Sequence, residues 1–396
     1  MSVRRGLSTW RPRALAAALA LGGSLVLLPA VAGAQDAPAV ALTASAERIT
    51  FGQDVRLSVT LTPAAGGEAV QITDETGDVV AQGTTRPNGT FDATIRPDGT
   101  RTYLATVLDA TSEGVTVAVR AVADVRMSPV RLFDRVVVRG AIEPARPGRN
   151  VEVTLLRGGR AVETRRVPMG RNGGYSVRFE VGAPGVYRAR ASFGAGDLVR
   201  DRAVTPADLT PLPRLSSGDS GAFVRLLEAR LMALDYRVAG GRDGRYDFRT
   251  ADAVVAFHKV QGMSRSFAVS AATWRRLADP LVPRPRRDWN AFHFEVDQTK
   301  QVLYTVEGGA VTNILHVSTG AGGATRDGSF RVWRKLAGFS PNHLYYPSYF
   351  DGLRALHGWT EVPTVAASHG CVRIPYWNAR WVYGLAAYGT RVVIYH

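Results

Sequence analysis

Alternating apolar and polar residues dominate the first half of the chain. Residues 55–61 and 151–156 alternate in this way, and glycine and proline separate such runs. A period of two residues is typical of a strand with one buried face. No helical period of useful length interrupts the pattern from residue 37 to about 205. We therefore predict that this region consists of β-strands.

Two short motifs recur at a fixed distance within the strand-rich region. Asn88-Gly89-Thr90-Phe91 and Asn172-Gly173-Gly174-Tyr175 lie 84 residues apart, and a Tyr-x-Ala motif beginning at Tyr103 and at Tyr187 keeps the same offset. Each repeat has about the length of a β-sandwich. We predict two immunoglobulin-like β-sandwiches, at residues 37–124 and 125–205. The lack of cysteines or a polar cluster favours spacers over ligand-binding domains.

The pattern becomes helical after a proline-rich linker at residues 205–213. A first helix, capped by Asp219 or Ser220, has apolar residues at spacings of three and four, namely Val224, Leu227, Leu231 and Leu234. A second helix is predicted to begin at Thr250 and a third at Ser270. These helices form a small module at residues 214–280.

Strand-like runs return after a second, basic linker at residues 283–287. They occupy residues 292–296, 301–306 and 314–317, and the chain ends on an apolar run, 391–395, that suits an inner strand. We expect a β-rich domain at residues 288–396. The fold class is therefore multidomain and mainly β, with one small three-helix module.

The first 34 residues have the pattern of a secretory signal peptide. Four arginines precede an uncharged apolar run that closes with Ala32-Gly33-Ala34, which predicts cleavage before Gln35. An uncleaved membrane anchor is the alternative, because the run approaches spanning length. The pair Arg4-Arg5 also permits twin-arginine export. We expect an exported protein of the cell wall or periplasm, which contacts a membrane only if this segment is retained.

The chain is strongly basic. Its formal charge of +15 falls to +11 without residues 1–34, which hold four arginines and no acids. The arginines are scattered and no nucleic-acid-binding motif is present, so nucleic acid is not expected as a partner. Anionic envelope polymers are a better match, through an attraction that salt screens.

Cys371 is the only cysteine in the chain. An odd thiol in an exported protein is a liability unless it has a chemical role. Its nucleophilic form is the thiolate, which a histidine in hydrogen-bonding distance can generate. His369 lies two positions before it and would share its face in an extended strand. His357 would have to approach from a neighbouring segment, as an opposed base usually does.

The helical module resembles the peptidoglycan-binding module of bacterial wall enzymes. The resemblance covers residues 215–277 and rests on Gly218-Asp219-Ser220-Gly221, Leu227, Leu231, Leu234-Asp235-Tyr236, Asp243-Gly244, Thr250, Ala253-Val254, Phe257, Gly262-Met263 and Thr273-Trp274. It implies docking to glycan strands and stem peptides of peptidoglycan. The alternative is a helical spacer without a ligand groove.

The C-terminal domain closely resembles the L,D-transpeptidases with a YkuD-type catalytic domain. The resemblance rests on several short motifs in order: Val317-Ser318-Thr319-Gly320, Thr325-x-x-Gly328-Ser329-Phe330-Arg331-Val332, Tyr345-Tyr346-Pro347-x-Tyr349-Phe350, His357-Gly358, Ser368-His369-Gly370-Cys371-Val372-Arg373, Ile374-Pro375 and Gly389-Thr390-Arg391-Val392. One position departs from the family, which usually has proline where this chain has Arg326. This puts the local loop geometry in doubt.

The resemblance assigns roles to particular residues. It implies that Cys371 is the nucleophile and His357 the general acid and base, with the Gly358 carbonyl holding the imidazole. The amides of Gly370 and Cys371 would form the oxyanion hole. The remaining expected site residues would line the substrate cleft or form a lid over it: Ser368, His369, Arg373, Tyr345, Tyr346 and Tyr349.

The implied reaction is an acyl transfer in two steps. Cys371 attacks the L-centre carbonyl of a tetrapeptide stem and releases D-alanine, and an amine of another stem then resolves the thioester to a 3→3 cross-link. The reaction needs no metal or cofactor, and His293, His316 and His343 are expected to serve packing or to lie on the surface. An L,D-carboxypeptidase, a protein-to-murein linker and a non-catalytic wall-binding scaffold remain the alternatives.

Overall fold

The computed structural model describes residues 37–396. The predicted signal segment, residues 1–34, lies outside the described residues. Within residues 37–396, no helix combines the length and the apolar character that crossing a membrane would require.

Two facing sheets make up the first unit of the chain. Antiparallel neighbours in the order β1-β3-β6 form one sheet, and the order β2-β9-β7-β4-β5 forms the other, with β8 added to β7. On β3 the apolar residues alternate inward, as the sequence predicts, and the residues between them are more exposed. The strands are β1 (Ala39–Ala44), β2 (Arg48–Thr50), β3 (Val55–Thr62), β4 (Ala69–Asp74), β5 (Val79–Thr84), β6 (Thr90–Ile95), β7 (Arg101–Val107), β8 (Ala110–Thr111) and β9 (Val115–Arg120).

The second unit is also built from strands. In one sheet β12 pairs with β10, β11 and β15, and the other has the order β14-β13-β16-β17 with β18 on β16. One continuous apolar core runs through both units. The mainly β prediction is confirmed here, and the immunoglobulin-like topology stays a prediction. The strands are β10 (Val122–Ala123), β11 (Arg126–Met127), β12 (Arg135–Glu143), β13 (Asn150–Arg157), β14 (Arg160–Pro168), β15 (Gly174–Glu180), β16 (Val186–Phe193), β17 (Asp201–Val204) and β18 (Asp208–Leu209).

The repeated Asn-Gly motif forms the same turn in both units. Gly89 and Gly173 have φ values of 74° and 79°, a region that glycine enters without steric cost. Each glycine carbonyl accepts a hydrogen bond from a neighbouring strand, from Leu61 N–H at 2.9 Å and from Ile142 N–H at 3.1 Å. A Cβ on either glycine would lie within 2.8 Å of a carbonyl oxygen. The motif therefore recurs because both turns approach a strand too closely for a side chain.

The helical module contains α1 (Ala222–Met232), α2 (Phe248–Val260) and α3 (Ala271–Ala278). Two sequence predictions about helix ends were wrong. Gly221 precedes α1 without a side-chain cap, because the Asp219 carboxylate accepts the Ser216 N–H at 2.7 Å instead. α2 begins before Thr250, because Asp247 accepts the N–H groups of Arg249 and Thr250. The Ser270 cap of α3 is present.

Two sheets and one helix build the C-terminal domain. The first sheet has the order β21-β20-β19-β27-β22, so the last strand is an inner one, as predicted. The second has the order β23-β24-β25-β26, and β25 and β26 run parallel. The elements are β19 (His293–Asp297), β20 (Val302–Glu307), β21 (Ala310–His316), a 3₁₀ turn (Ala321–Gly323), β22 (Gly328–Arg331), β23 (Arg334–Lys335), β24 (Tyr345–Asp351), β25 (Arg354–Trp359), β26 (Val372–Pro375), α4 (Tyr376–Leu385) and β27 (Arg391–Tyr395).

The helical module and the C-terminal domain share one apolar core, in which α2 packs against β20 and β21. A buried lysine amino group lies in this junction. Lys259 of α2 donates to the carbonyls of Gln301 at 2.8 Å and Val317 at 3.1 Å and to Nδ1 of His316 at 2.6 Å. Burial lowers the pKa of Lys259 to about 6. The three acceptors oppose that shift, because only an ammonium group can donate to all three.

Lys259→Met should destabilise the junction, because it keeps the apolar stem of the side chain and leaves two buried carbonyls without their donor. We expect the thermal transition that includes the C-terminal domain to fall by about 5–10 °C, measured by calorimetry. Arg331→Met is the control, since Arg331 is an exposed residue of the same domain and surface substitutions usually change the unfolding free energy by about 0.5 kcal/mol or less. Equal shifts in the two variants would contradict a special role for Lys259.

Candidate active site

A cavity of about 590 Å³ opens at the edge of the second C-terminal sheet. Five of the expected site residues line it, together with five that the sequence did not indicate. The lining residues are His357, Ser368, His369, Cys371 and Arg373, then Asn342, Leu344, Leu353, Arg354 and Trp359. The structure therefore brings the thiol and the proposed base to the same cavity.

Parallel pairing of β25 with β26 places His357 beside the thiol. His357 is in register with Arg373, and Leu356 with Val372, so Cys371 immediately precedes the paired segment. Cys371 and Arg373 both line the cavity. The expectation that the base comes from a neighbouring segment agrees with this geometry.

Cys371 lies at the end of a tight loop rather than in a strand. The Ser368 hydroxyl donates to the Cys371 carbonyl at 2.5 Å and accepts the Gly370 N–H at 3.0 Å. Gly370 has φ 131°, and the Thr325 hydroxyl donates to its carbonyl at 2.9 Å. The assumption that His369 shares a strand face with Cys371 was therefore wrong, because this loop turns at Gly370.

The thiol of Cys371 is partly exposed and lies near two cations. It donates weakly to the Leu353 carbonyl at 3.8 Å. Burial raises the pKa of the Cys371 thiol above its ordinary value, while the Ala355 N–H and the charges of Arg354 and Arg373 act to lower the pKa. The raised pKa means that the resting group is a thiol.

His357 is buried and has a defined tautomer. Its Nδ1 lies 3.0 Å from the Gly358 carbonyl, which can only accept, so Nδ1 carries a proton. Burial lowers the pKa of His357 to about 4, the hydrogen bond to Gly358 opposes the shift, and the charge of Arg373 adds to it. The imidazole is therefore neutral near pH 7 and its Nε2 has a free lone pair.

These protonation states match a general-base mechanism. A neutral imidazole can take the proton of a thiol as the sulfur attacks, and return it to a leaving group. The Cys371 N–H has no acceptor among residues 37–396, so it can donate to a developing oxyanion. The Gly370 N–H already donates to the Ser368 hydroxyl. It is therefore not free for the oxyanion role expected from the sequence.

The tyrosines expected over the cleft do not line this cavity. Tyr349 is 5% exposed, and its ring packs against Trp333. Tyr346 contacts Tyr345 and Tyr383 edge to face. The cavity is lined instead by residues just before β24 and at the turn into β25.

Arg354 is the main site residue that sequence reasoning missed. Its Nε donates to the Ala324 carbonyl at 2.8 Å and its Nη1 to the Asp351 carboxylate at 2.9 Å. Asp351 also pairs with Arg326, which occupies the position where the resembled family usually has proline. The only sequence signal was an arginine three residues before His357, and this gave no indication of its partners.

No group of three or more histidine, cysteine, aspartate or glutamate side chains within residues 37–396 could hold a metal ion. His293 and His316 are buried, and His316 belongs to the Lys259 junction rather than to the cavity. His343 is exposed.

Family comparisons match both parts of the chain that carry these features. The model of the L,D-transpeptidase catalytic domain, YkuD, matches residues 291–394, and that of a peptidoglycan binding domain matches residues 220–277. A comparison with the curated proteins finds no match.

Two solved structures illustrate the similarity. An L,D-transpeptidase from Xylanimonas cellulosilytica is 34% identical and covers 47% of this chain and 99% of that chain, with a TM-score of 0.44. An L,D-transpeptidase from Stackebrandtia nassauensis is 24% identical and covers 46% of this chain and 95% of that chain, with a TM-score of 0.29.

Alkylation of Cys371 by iodoacetamide should report a neutral thiol and imidazole. Because burial raises the thiol pKa, the rate should rise about tenfold per pH unit between pH 5 and 7. The midpoint of the curve of alkylation rate against pH should lie at a higher pH than the midpoint for the same thiol in the urea-unfolded chain. The sole cysteine makes labelling unambiguous by mass spectrometry. A rate that is constant between pH 5 and 7 would instead indicate a resting thiolate and imidazolium.

Gly370→Ala should distort the loop before Cys371. The new Cβ would lie 3.1 Å from the Ala324 carbonyl in a backbone conformation that alanine rarely adopts. We expect a loss of about 1–3 kcal/mol in unfolding free energy and slower alkylation. Gly384→Ala in α4 is the matched control, because no atom lies within 4 Å of its new Cβ. A G370A protein that behaves like G384A would show that the loop tolerates the side chain.

Proposed function

We propose that this chain, which belongs to the L,D-transpeptidase family through its YkuD catalytic domain, is a peptidoglycan L,D-transpeptidase with Cys371 as nucleophile and His357 as general acid and base. One observation carries the proposal. The sole cysteine and a neutral histidine with a free Nε2 line the same cavity, on adjacent segments of the matched domain.

In the first step, His357 Nε2 takes the thiol proton while Cys371 Sγ attacks the carbonyl of the L-centred residue in a tetrapeptide stem. The C–S bond forms, and the carbonyl oxygen becomes an anion to which the Cys371 N–H donates. When the intermediate collapses, His357 returns the proton to the departing amine. D-alanine leaves, and the acyl group remains on sulfur as a thioester.

In the second step, the amine of another stem attacks the thioester. His357 accepts a proton from this amine and returns it to the departing sulfur, which restores the thiol and leaves a 3→3 amide cross-link. Arg354 and Arg373 lie on the cavity wall, where their charges suit the terminal carboxylate of the donor stem. The Gly358 carbonyl keeps His357 in the tautomer that both steps need.

The other parts of the chain are consistent with an activity on peptidoglycan. The peptidoglycan binding domain at residues 220–277 is consistent with peptidoglycan as partner and with an extracytoplasmic location. We propose that residues 1–34 direct export and that the units at 37–124 and 125–205 are immunoglobulin-like spacers. The module at 214–280 would then hold the catalytic domain, 288–396, against its polymer.

Incubation of the full chain with disaccharide-tetrapeptides should yield 3→3 dimers by mass spectrometry, and a carbapenem should leave an adduct on Cys371. We expect Cys371→Ala to abolish both. His357→Gln should lower kcat/KM by about 10²–10⁴-fold, the usual contribution of a general acid and base. His396→Gln is the control, because His396 is an exposed residue paired with Asp327.

Three results would contradict this assignment. Formation of tripeptide alone would identify a carboxypeptidase. Absence of both product and adduct would identify a scaffold. Full activity in the His357 variant would remove that residue from the mechanism.

A further inference from the structure

The cavity around Cys371 is lined by positive charge. Its ten lining residues include two arginines, Arg354 and Arg373, and no acid. The Arg373 guanidinium lies over the ring of Trp359, 5.4 Å from the centroid. A concave site with charges of one sign attracts a ligand of the opposite sign. The charge that the cavity presents therefore depends on how far neighbouring acids neutralise the two arginines.

One carboxylate next to the cavity is shared between two arginines. Arg354 Nη1 donates to one oxygen of Asp351 at 2.9 Å. Arg326 binds both oxygens, the same one through Nε at 3.1 Å and the other through Nη2. The Asp351 side chain is 8% exposed, so solvent screens these contacts only in part. Two positive charges and one negative charge leave one positive charge in this group.

Arg326 is the stronger of the two partners of Asp351. Its hydrogen bonds are the main cause that holds the pKa of this carboxyl below the ordinary value, and the charge of Arg354 contributes less. A guanidinium that binds both oxygens of a carboxylate is the stronger geometry. Without Arg326, Asp351 would have Arg354 as its only cation within residues 37–396 and would neutralise it.

The segment that carries Arg326 is fixed against the loop before the thiol. The Ala324 carbonyl accepts Arg354 Nε at 2.8 Å, and the Thr325 hydroxyl donates to the Gly370 carbonyl at 2.9 Å. The Arg326 side chain itself is 62% exposed. Ion pairs of exposed side chains add little to stability. The effect of this arginine is therefore expected on the charge of the cavity more than on the stability of the fold.

We propose that Arg326 is a positioning residue for the acyl transfer: it holds the Asp351 carboxylate, so that the charge of Arg354 acts on the cavity and favours an acyl donor with a carboxylate beside the scissile bond. The terminal carboxylate of a tetrapeptide stem is such a group. Proline, which the resembled family usually has at this position, could not form the pair. The identity of the donor rests on the proposed function, whereas the effect of Arg326 on the thiol does not.

The test compares alkylation of Cys371 by iodoacetate and by iodoacetamide in the full chain. Both reagents attack the same sulfur and differ by one negative charge, so the ratio of their rate constants reports the potential at the thiol. No enzymatic turnover is needed. We expect the ratio of iodoacetate to iodoacetamide to be higher in the folded chain than in urea, and the difference to shrink as salt is added.

Arg326→Met should lower this ratio about threefold, the effect of one charge acting through solvent over several ångströms. The pH midpoint of alkylation should also rise. Burial raises the pKa of the Cys371 thiol, and the charge of Arg354 acts against that rise. Arg331→Met is the matched control, because it removes an exposed arginine of the same domain that does not line the cavity. In wild type, a carbapenem should acylate Cys371 faster than its methyl ester, and R326M should narrow this difference.

The proposal is overturned by an unchanged ratio in R326M, or by equal falls in R326M and R331M. A merely structural role would slow both reagents equally and leave the ratio unchanged. Carbapenem acylation, measured on the same samples, keeps the two proposals separate. Acylation with an unchanged ratio in R326M would overturn only the role of Arg326. A lowered ratio in R326M, in a protein that no carbapenem acylates, would overturn only the catalytic assignment.

Discussion

The proposed active site depends on the parallel pairing of β25 with β26. This pairing brings His357 into register with Arg373 and places the loop ending at Cys371 beside it. Gly358 approaches so closely to Tyr345 and Ala379 that a Cβ there would lie within 3 Å of either side chain. The His357 imidazole is therefore held by the backbone on one side and by packing on the other, which fixes the tautomer and the direction of its free nitrogen.

A network of polar contacts holds the loop that ends at Cys371. The Thr325 hydroxyl accepts the Gly320 N–H at 2.8 Å and donates to the Gly370 carbonyl, and a Cβ on Gly320 would lie 2.9 Å from the Gly370 Cα. The Ser368 hydroxyl also bonds within this loop, to the Cys371 carbonyl and the Gly370 N–H. Because each partner is part of the fold, these contacts position the Cys371 thiol without a ligand, and the proposed attack would need little reorganisation.

The helical module is integrated with the catalytic domain rather than tethered to it. The Lys259 amino group donates to two carbonyls of the catalytic domain, and Arg265 and His316 donate to carbonyls of the segment before Ser368. Two polar side chains of the junction, Arg265 and His316, thus contact the segment that leads to Cys371. The helical module and the catalytic domain therefore share buried apolar and polar contacts.

The sequence by itself determined the mainly β architecture, the helical module and the repeated Asn-Gly turn, and it indicated that Cys371 and His357 lie on neighbouring segments. These follow from local periodicity, from glycine at positions that exclude a side chain, and from a resemblance carried by contiguous motifs. Tertiary structure decided the rest. The roles of Arg354 and Lys259, the turn at Gly370 and the buried placement of Tyr349 depend on contacts between segments far apart in the chain. Burial also set the protonation states of Cys371 and His357. Desolvation depends on the folded surroundings of a group, so the neighbouring residues in the sequence do not predict it.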